Sequence, residues 1–84
     1  MQQLQSQVIN GTVTDQTGEP VIGASVLEKG TNNGIITNID GKFSLTVKRG
    51  ATLVISFVGY KTLEVKATPK MEITLTEDSE LLEE

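Results

Sequence analysis

The sequence predicts an all-β domain, a β-sandwich of about seven short strands. Three observations predict it. Apolar residues recur with a period of two along most of the chain, as in Phe43, Leu45 and Val47 against Ser44, Thr46 and Lys48. Turn signals rich in Gly, Asn and Asp punctuate the strands every 8–12 residues. No stretch shows a helical period, and with aromatics at 4% the core rests on Val, Ile and Leu, which suit pleated strands. A short open barrel ranks second, because no repeated bulge pattern suggests closure.

Each element follows in order. Residues 1–7 are polar and expected to be disordered. Residues 8–14 form a first strand, with Ile9, Gly11 and Val13 on one face. Gly11 leaves a small gap there for another backbone to approach. In Thr14–Pro20, Asp15 caps a turn, Gly18 supplies positive φ, and Pro20 starts an edge-like stretch. Ala24–Lys29 is a second strand with Ala24 and Val26 sharing a face. Gly30–Gly34 is a loop, Ile35–Thr37 a third strand, and Asn38–Lys42 a hairpin turn with Gly41 left-handed. Residues 43–48 form the fourth strand, and Arg49-Gly50-Ala51 turns the chain. Residues 53–58 are apolar on both faces, which predicts a central strand broken at Gly59. Tyr60–Val65 continues, with Leu63 and Val65 inward. After Pro69, Met71, Ile73 and Leu75 alternate in the last strand.

The inventory excludes several functions. The 84 residues contain no His and no Cys, which removes His bases, Ser-His-Asp triads, thiol nucleophiles, disulfides and His- or Cys-ligated metals. A net charge of −4 argues against nucleic acid, since phosphates need a basic stripe. No apolar run approaches the roughly 20 residues of a membrane-spanning helix. The first seven residues lack the basic and apolar regions of a leader, so they read as a mature start with an added Met or as a cytosolic start. The tail, residues 77–84, carries five carboxylates and no base, and reads as a solvated acidic linker cut from a longer chain.

Candidate chemistry reduces to turn chemistry. Asp15, Glu19 and Asp40 sit at turns, where Asp hydrogen-bonds its own backbone, rather than in a shared cleft. Asn38-x-Asp40-Gly41 and Asn32-Asn33-Gly34 have some calcium-loop character, which Lys42 opposes. Ser25, Ser44 and Ser56 lie in strands with no nucleophile elbow, and Lys29 and Lys42 flank turns instead of being desolvated. Gly30-x-x-x-Gly34 lacks the ending of a phosphate loop. Tyr60 reads as an aromatic body at a strand end. The expectation is therefore no catalytic, cofactor-binding or metal residue, no cofactor and no enzymatic activity.

Five blocks in order carry a resemblance: 8–15, Gly18–Val26, Gly30–Gly34, Thr37–Leu45 and Leu53–Tyr60. Together they resemble the carboxypeptidase-D regulatory-like domain, in the version at the periplasmic N-terminus of SusC-type TonB-dependent outer-membrane transporters of Bacteroidetes-like bacteria. The resemblance covers about residues 8–76 and implies a seven-stranded Ig/transthyretin-like (prealbumin-like) sandwich. Asn38 departs from the commoner acid of the Asp-x-Asp-Gly turn. The resemblance also implies that Leu81-Leu82-Glu83-Glu84 approaches an absent TonB box and plug. The expected function is then a non-enzymatic periplasmic accessory domain of a nutrient transporter, a protein-interaction or spacer module. Its partners would be the other domains of its own transporter, with a periplasmic or outer-membrane protein as a further one. The domain itself would not insert in the membrane. The alternative is a fold-stabilising or adhesive domain of a secreted enzyme or surface protein. A third reading, a transthyretin-like small-molecule binder, needs a dimer-built channel.

Overall fold

A computed structural model describes residues 6–78. Among the described residues seven strands form: β1 Ser6–Thr14, β2 Ser25–Glu28, β3 Gly34–Ile36, β4 Lys42–Lys48, β5 Thr52–Ser56, β6 Leu63–Lys66 and β7 Lys70–Thr74. They make two sheets, β4-β1-β7 and β3-β2-β5-β6. All pairings are antiparallel except β1 with β7. This is the sandwich predicted above; the two sheets stay separate, so the open barrel is not adopted.

Period-two patterning builds the core. Ile9 and Val13 from β1, Val26 from β2, Phe43, Leu45 and Val47 from β4, Leu53 and Ile55 from β5, and Ile73 from β7 are buried between the sheets. The strand-flanking Val21, Ala24, Ala67 and Leu75 complete it. β4 and β7 turn their alternate residues to solvent, as period two requires, whereas all three residues of β3 are exposed.

Several expectations need correction. β1 begins at Ser6, because Ser6 and Gln7 pair with Lys48 and Val47; of the segment read as disordered, only residues 1–5 lie outside the described residues. The space at Gly11 is filled by the Phe43 ring, not by a backbone: a Cβ built there would lie 2.5 Å from Phe43 Cε1 and Cζ. Asn38–Lys42 is not a hairpin turn, since it joins β3 in one sheet to β4 in the other. Its local chemistry is as predicted, with Gly41 at φ +73° and its N–H donating to the Asn38 carbonyl.

β3 sits one residue earlier than expected, β6 starts three residues later and ends one later, and β2 is shorter at both ends. β5 is central as expected, between β2 and β6, but only one of its faces is fully buried: Thr52, Val54 and Ser56 are half-buried, and Val58, expected in the strand, lies beyond its end and is exposed. Leu63 and Val65 are also half-buried, because among the described residues β6 is a sheet edge with no neighbour beyond it. At the tail, Glu77 bridges Tyr60 and the Asp78 N–H donates to the Gly59 carbonyl, so both residues belong to the sandwich. The expected linker over 79–84 lies outside the described residues.

Candidate functional site

The polar groups singled out from the sequence are spread over the sandwich. Asp15 Oδ1 accepts from the Thr17 N–H, the Thr17 hydroxyl and the Glu19 N–H, at 2.8, 2.6 and 3.0 Å. These bonds favour the charged form and hold the Asp15 carboxyl below its ordinary range, the Thr17 hydroxyl contributing most. Asp15 is thus a turn former, and the chain returns beside β1 through the Thr14–Pro20 bridge. In the Asn38–Lys42 turn the organising group is the Asn38 carboxamide. Its Oδ1 accepts from the N–H groups of Asp40 and Lys42, both at 2.9 Å, so this oxygen is committed to the backbone. Asp40 itself is exposed.

Ser25 and Ser56 face each other across β2 and β5, and Ser44 lies on β4 opposite Asn10. Lys29 pairs with Glu64 at 2.9 Å on the surface, with both side chains more than half or about half exposed. Tyr60 packs against Phe57, ring centroids 5.9 Å apart and tilted by 47°. Among the described residues, no three Asp, Glu, His or Cys side chains converge on a common point.

Two buried polar side chains escaped the sequence reading. Thr37 is only 2% exposed; its hydroxyl accepts from the Ala24 N–H at 2.9 Å and donates to the Val21 carbonyl at 2.6 Å. Residues 21–24 are the crossing from β1 to β2, so one hydroxyl fastens the passage between the sheets. Glu28 is 6% exposed. Its carboxylate accepts from Asn33 Nδ2 at 2.9 Å and from the Lys48 N–H at 3.1 Å. Asn33 Nδ2 also donates to the Thr46 carbonyl at 2.7 Å, which ties the β2–β3 loop to the edge of β4. The Asn33 side chain, then the Lys48 N–H and the Lys48 charge, hold the Glu28 carboxyl below its ordinary range. A sequence signal existed: Ala24, Val26 and Glu28 share one face of a period-two strand, which places a carboxylate inward.

The outer face of β4-β1-β7 carries a hollow of about 440 Å³ over Gly11, rimmed by Asn10, Thr12, Lys42, Lys70 and Glu72. Phe43 and Met71 also line it, so it is as apolar as it is polar, and its rim carries side chains of both charges. What the arrangement offers is surface: hydroxyl, amide and charged groups on sheet faces and at strand edges, with the Asp15 and Glu28 carboxylates engaged in a turn and a loop tie.

The CarboxypepD_reg-like domain family model matches residues 9–84. The chain is 46% identical over 80 residues to the TonB-dependent receptor SusC of Bacteroides thetaiotaomicron, which covers 95% of this chain and 8% of that protein. It is 42% identical over 74 residues to the TonB-dependent receptor P39 of Formosa agariphila, covering 87% of this chain and 7% of the receptor. Identity to the receptor P26 of the same organism is 34% over 80 residues, 93% of this chain and 8% of the receptor. The chain spans less than a tenth of the length of these relatives. With the seven-stranded sandwich, these matches establish that the chain belongs to the CarboxypepD_reg-like domain family.

Proposed function

We propose that this domain is a non-enzymatic accessory module at the N-terminus of a SusC-like TonB-dependent nutrient transporter, on the periplasmic side of the outer membrane. The observation that carries the reading is the 46% identity to the receptor SusC over 95% of the chain. The geometry supports it, because the domain offers a folded body with polar faces and strand edges, in which the Asp15 carboxylate serves a turn and the Glu28 carboxylate a loop tie. The other domains of the same polypeptide are its first partners. A small folded body tethered beside a larger one raises the local concentration of whatever it binds, or sets the spacing of the segments on either side.

The test is deletion of residues 8–76 from a full-length receptor. Uptake at limiting nutrient falls, while the amount of receptor in the outer membrane and its barrel stability stay at wild-type values. Wild-type uptake at low nutrient would overturn the reading.

A further inference from the structure

Four strands end the two sheets: β4 and β7 in one, β3 and β6 in the other. An edge strand presents unpaired N–H and C=O groups, and proteins guard such edges with charged side chains. Three of these edges follow the rule. β4 carries Lys42 and Lys48, β6 carries Glu64 and Lys66, and β7 carries Lys70 and Glu72. β3 does not, for its residues are Gly34, Ile35 and Ile36. Ile35 is 41% exposed and Ile36 64%.

Register shows which backbone groups are open. The Glu28 N–H donates to the Asn33 carbonyl and the Thr37 N–H to the Ala24 carbonyl. In an antiparallel pair, hydrogen-bonded positions alternate. Residues 33, 35 and 37 therefore bond toward β2, and the N–H and C=O of Gly34 and Ile36 point away from it. On β4 the same alternation, fixed by the Val13 N–H donating to the Gly41 carbonyl, turns residues 42, 44, 46 and 48 outward. Side chains and turns cover most of that edge. Asn38 occupies both backbone groups of Lys42, Asn33 takes the Thr46 carbonyl and Glu28 the Lys48 N–H. Besides the Thr46 N–H, the uncovered stretch is Ser44. It lies in a groove of about 300 Å³ that is also lined by Ile35, Ile36, Phe43, Asn38 and Lys42. The Lys42 ammonium makes no ion pair among the described residues.

We propose that the β3 edge and this groove form a docking site for an extended peptide segment of another polypeptide, with aliphatic and carboxylate side chains in alternation, which adds a strand to β3. The open amides and carbonyls of Gly34 and Ile36 call for an extended backbone. Ile35 and Ile36 call for aliphatic side chains, and Lys42 calls for a carboxylate. A second copy fits less well. β3 is about 10 Å long at about 3.3 Å per residue, whereas a stable dimer buries about 800 Å² on each partner. A flexible segment can follow the edge into the groove, and a rigid copy cannot. The proposal rests on the edge itself, so it stands or falls independently of the uptake assay.

The experiment pans a random heptapeptide phage library on the immobilised domain, with counter-selection against the Ile36→Lys domain. Enriched peptides alternate aliphatic residues with Asp or Glu. Their affinity falls at least about tenfold, the scale of losing one anchor, with Ile36→Lys and with Lys42→Glu, and is unchanged with Lys66→Glu on β6, at the opposite edge of the four-stranded sheet. Ile36→Thr keeps β propensity, controls for folding, and also weakens binding. Amide exchange at Gly34, Ile36 and Ser44 slows in the complex. The proposal is overturned if no peptide survives counter-selection, if the selected peptides carry Lys or Arg in place of acids, or if Ile36→Thr, folded as wild type, binds them unchanged. Sedimentation showing a dimer that Ile36→Lys dissociates would also overturn it, by giving the edge to a second copy.

Discussion

Replacing Thr37 by Val removes one oxygen and leaves almost the same volume. The lost hydroxyl serves two buried backbone groups, the Ala24 N–H and the Val21 carbonyl, on residues 0% and 5% exposed. A buried polar group left without a partner costs about 1–3 kcal/mol. Two such groups, offset in part by the added methyl, give about 2–4 kcal/mol. A domain of this length has about 4–12 kcal/mol in total, so the substitution removes a large share. At about 4–8 °C per kcal/mol for a small domain, Tm falls by about 10–30 °C. Thr37→Ser keeps the hydroxyl and loses one methyl, for about 1 kcal/mol. Urea unfolding followed by circular dichroism reads both variants, with the midpoint shifting and the slope constant. The reasoning is refuted if Thr37→Val lies within about 0.5 kcal/mol of wild type, or if Ser and Val are equally damaging.

Gly11→Ala forces a Cβ into the Phe43 ring and costs about 1–3 kcal/mol as overpacking; Phe43→Leu in the same chain recovers part of that loss in a double-mutant cycle. Gly41→Ala is the more severe change, because its φ is +73° and the new Cβ would meet the Val13 carbonyl oxygen at 2.6 Å; a melting curve close to wild type would contradict this. Acid should weaken the fold in a defined window. The Asp15 and Glu28 carboxyls titrate below their ordinary values of 3.8 and 4.5. Their contribution is therefore complete above about pH 4.5 and is lost as pH falls through the depressed folded-state values. Urea midpoints measured from pH 7 to pH 2.5 should be flatter for Asp15→Asn with Glu28→Gln; an unchanged acid limb would remove these two groups from the account.

Legibility in the sequence followed the range of the forces. The alternation of Phe43, Leu45 and Val47 reports burial directly, since one face of a strand must be apolar whatever lies opposite. Asp15 and Gly41 were readable because their partners lie within four residues. The sheet that receives β4 was not, because a turn sequence specifies a reversal of direction and not the strand that pairs after it. Gly11 announced that space was needed, but the occupant, Phe43, is 32 positions away in the chain. The edge roles of Glu28 and Asn33 were hidden for the same reason. Burying Glu28 is tolerable only because the Lys48 N–H, 20 residues on, is there to meet it.

The parallel pairing of β1 with β7 has a mechanical consequence. The two strands run side by side from Asn10 opposite Lys70 to Thr14 opposite Thr74, so the chain enters at one end of the sandwich and leaves at the other. Tension applied between the two ends pulls these neighbours lengthwise past each other. All five register pairs are then strained at once and must give way together, whereas a hairpin pulled from adjacent ends opens one pair at a time. Seated in a longer polypeptide under load, such a body passes force along its length and stays folded while weaker links yield first.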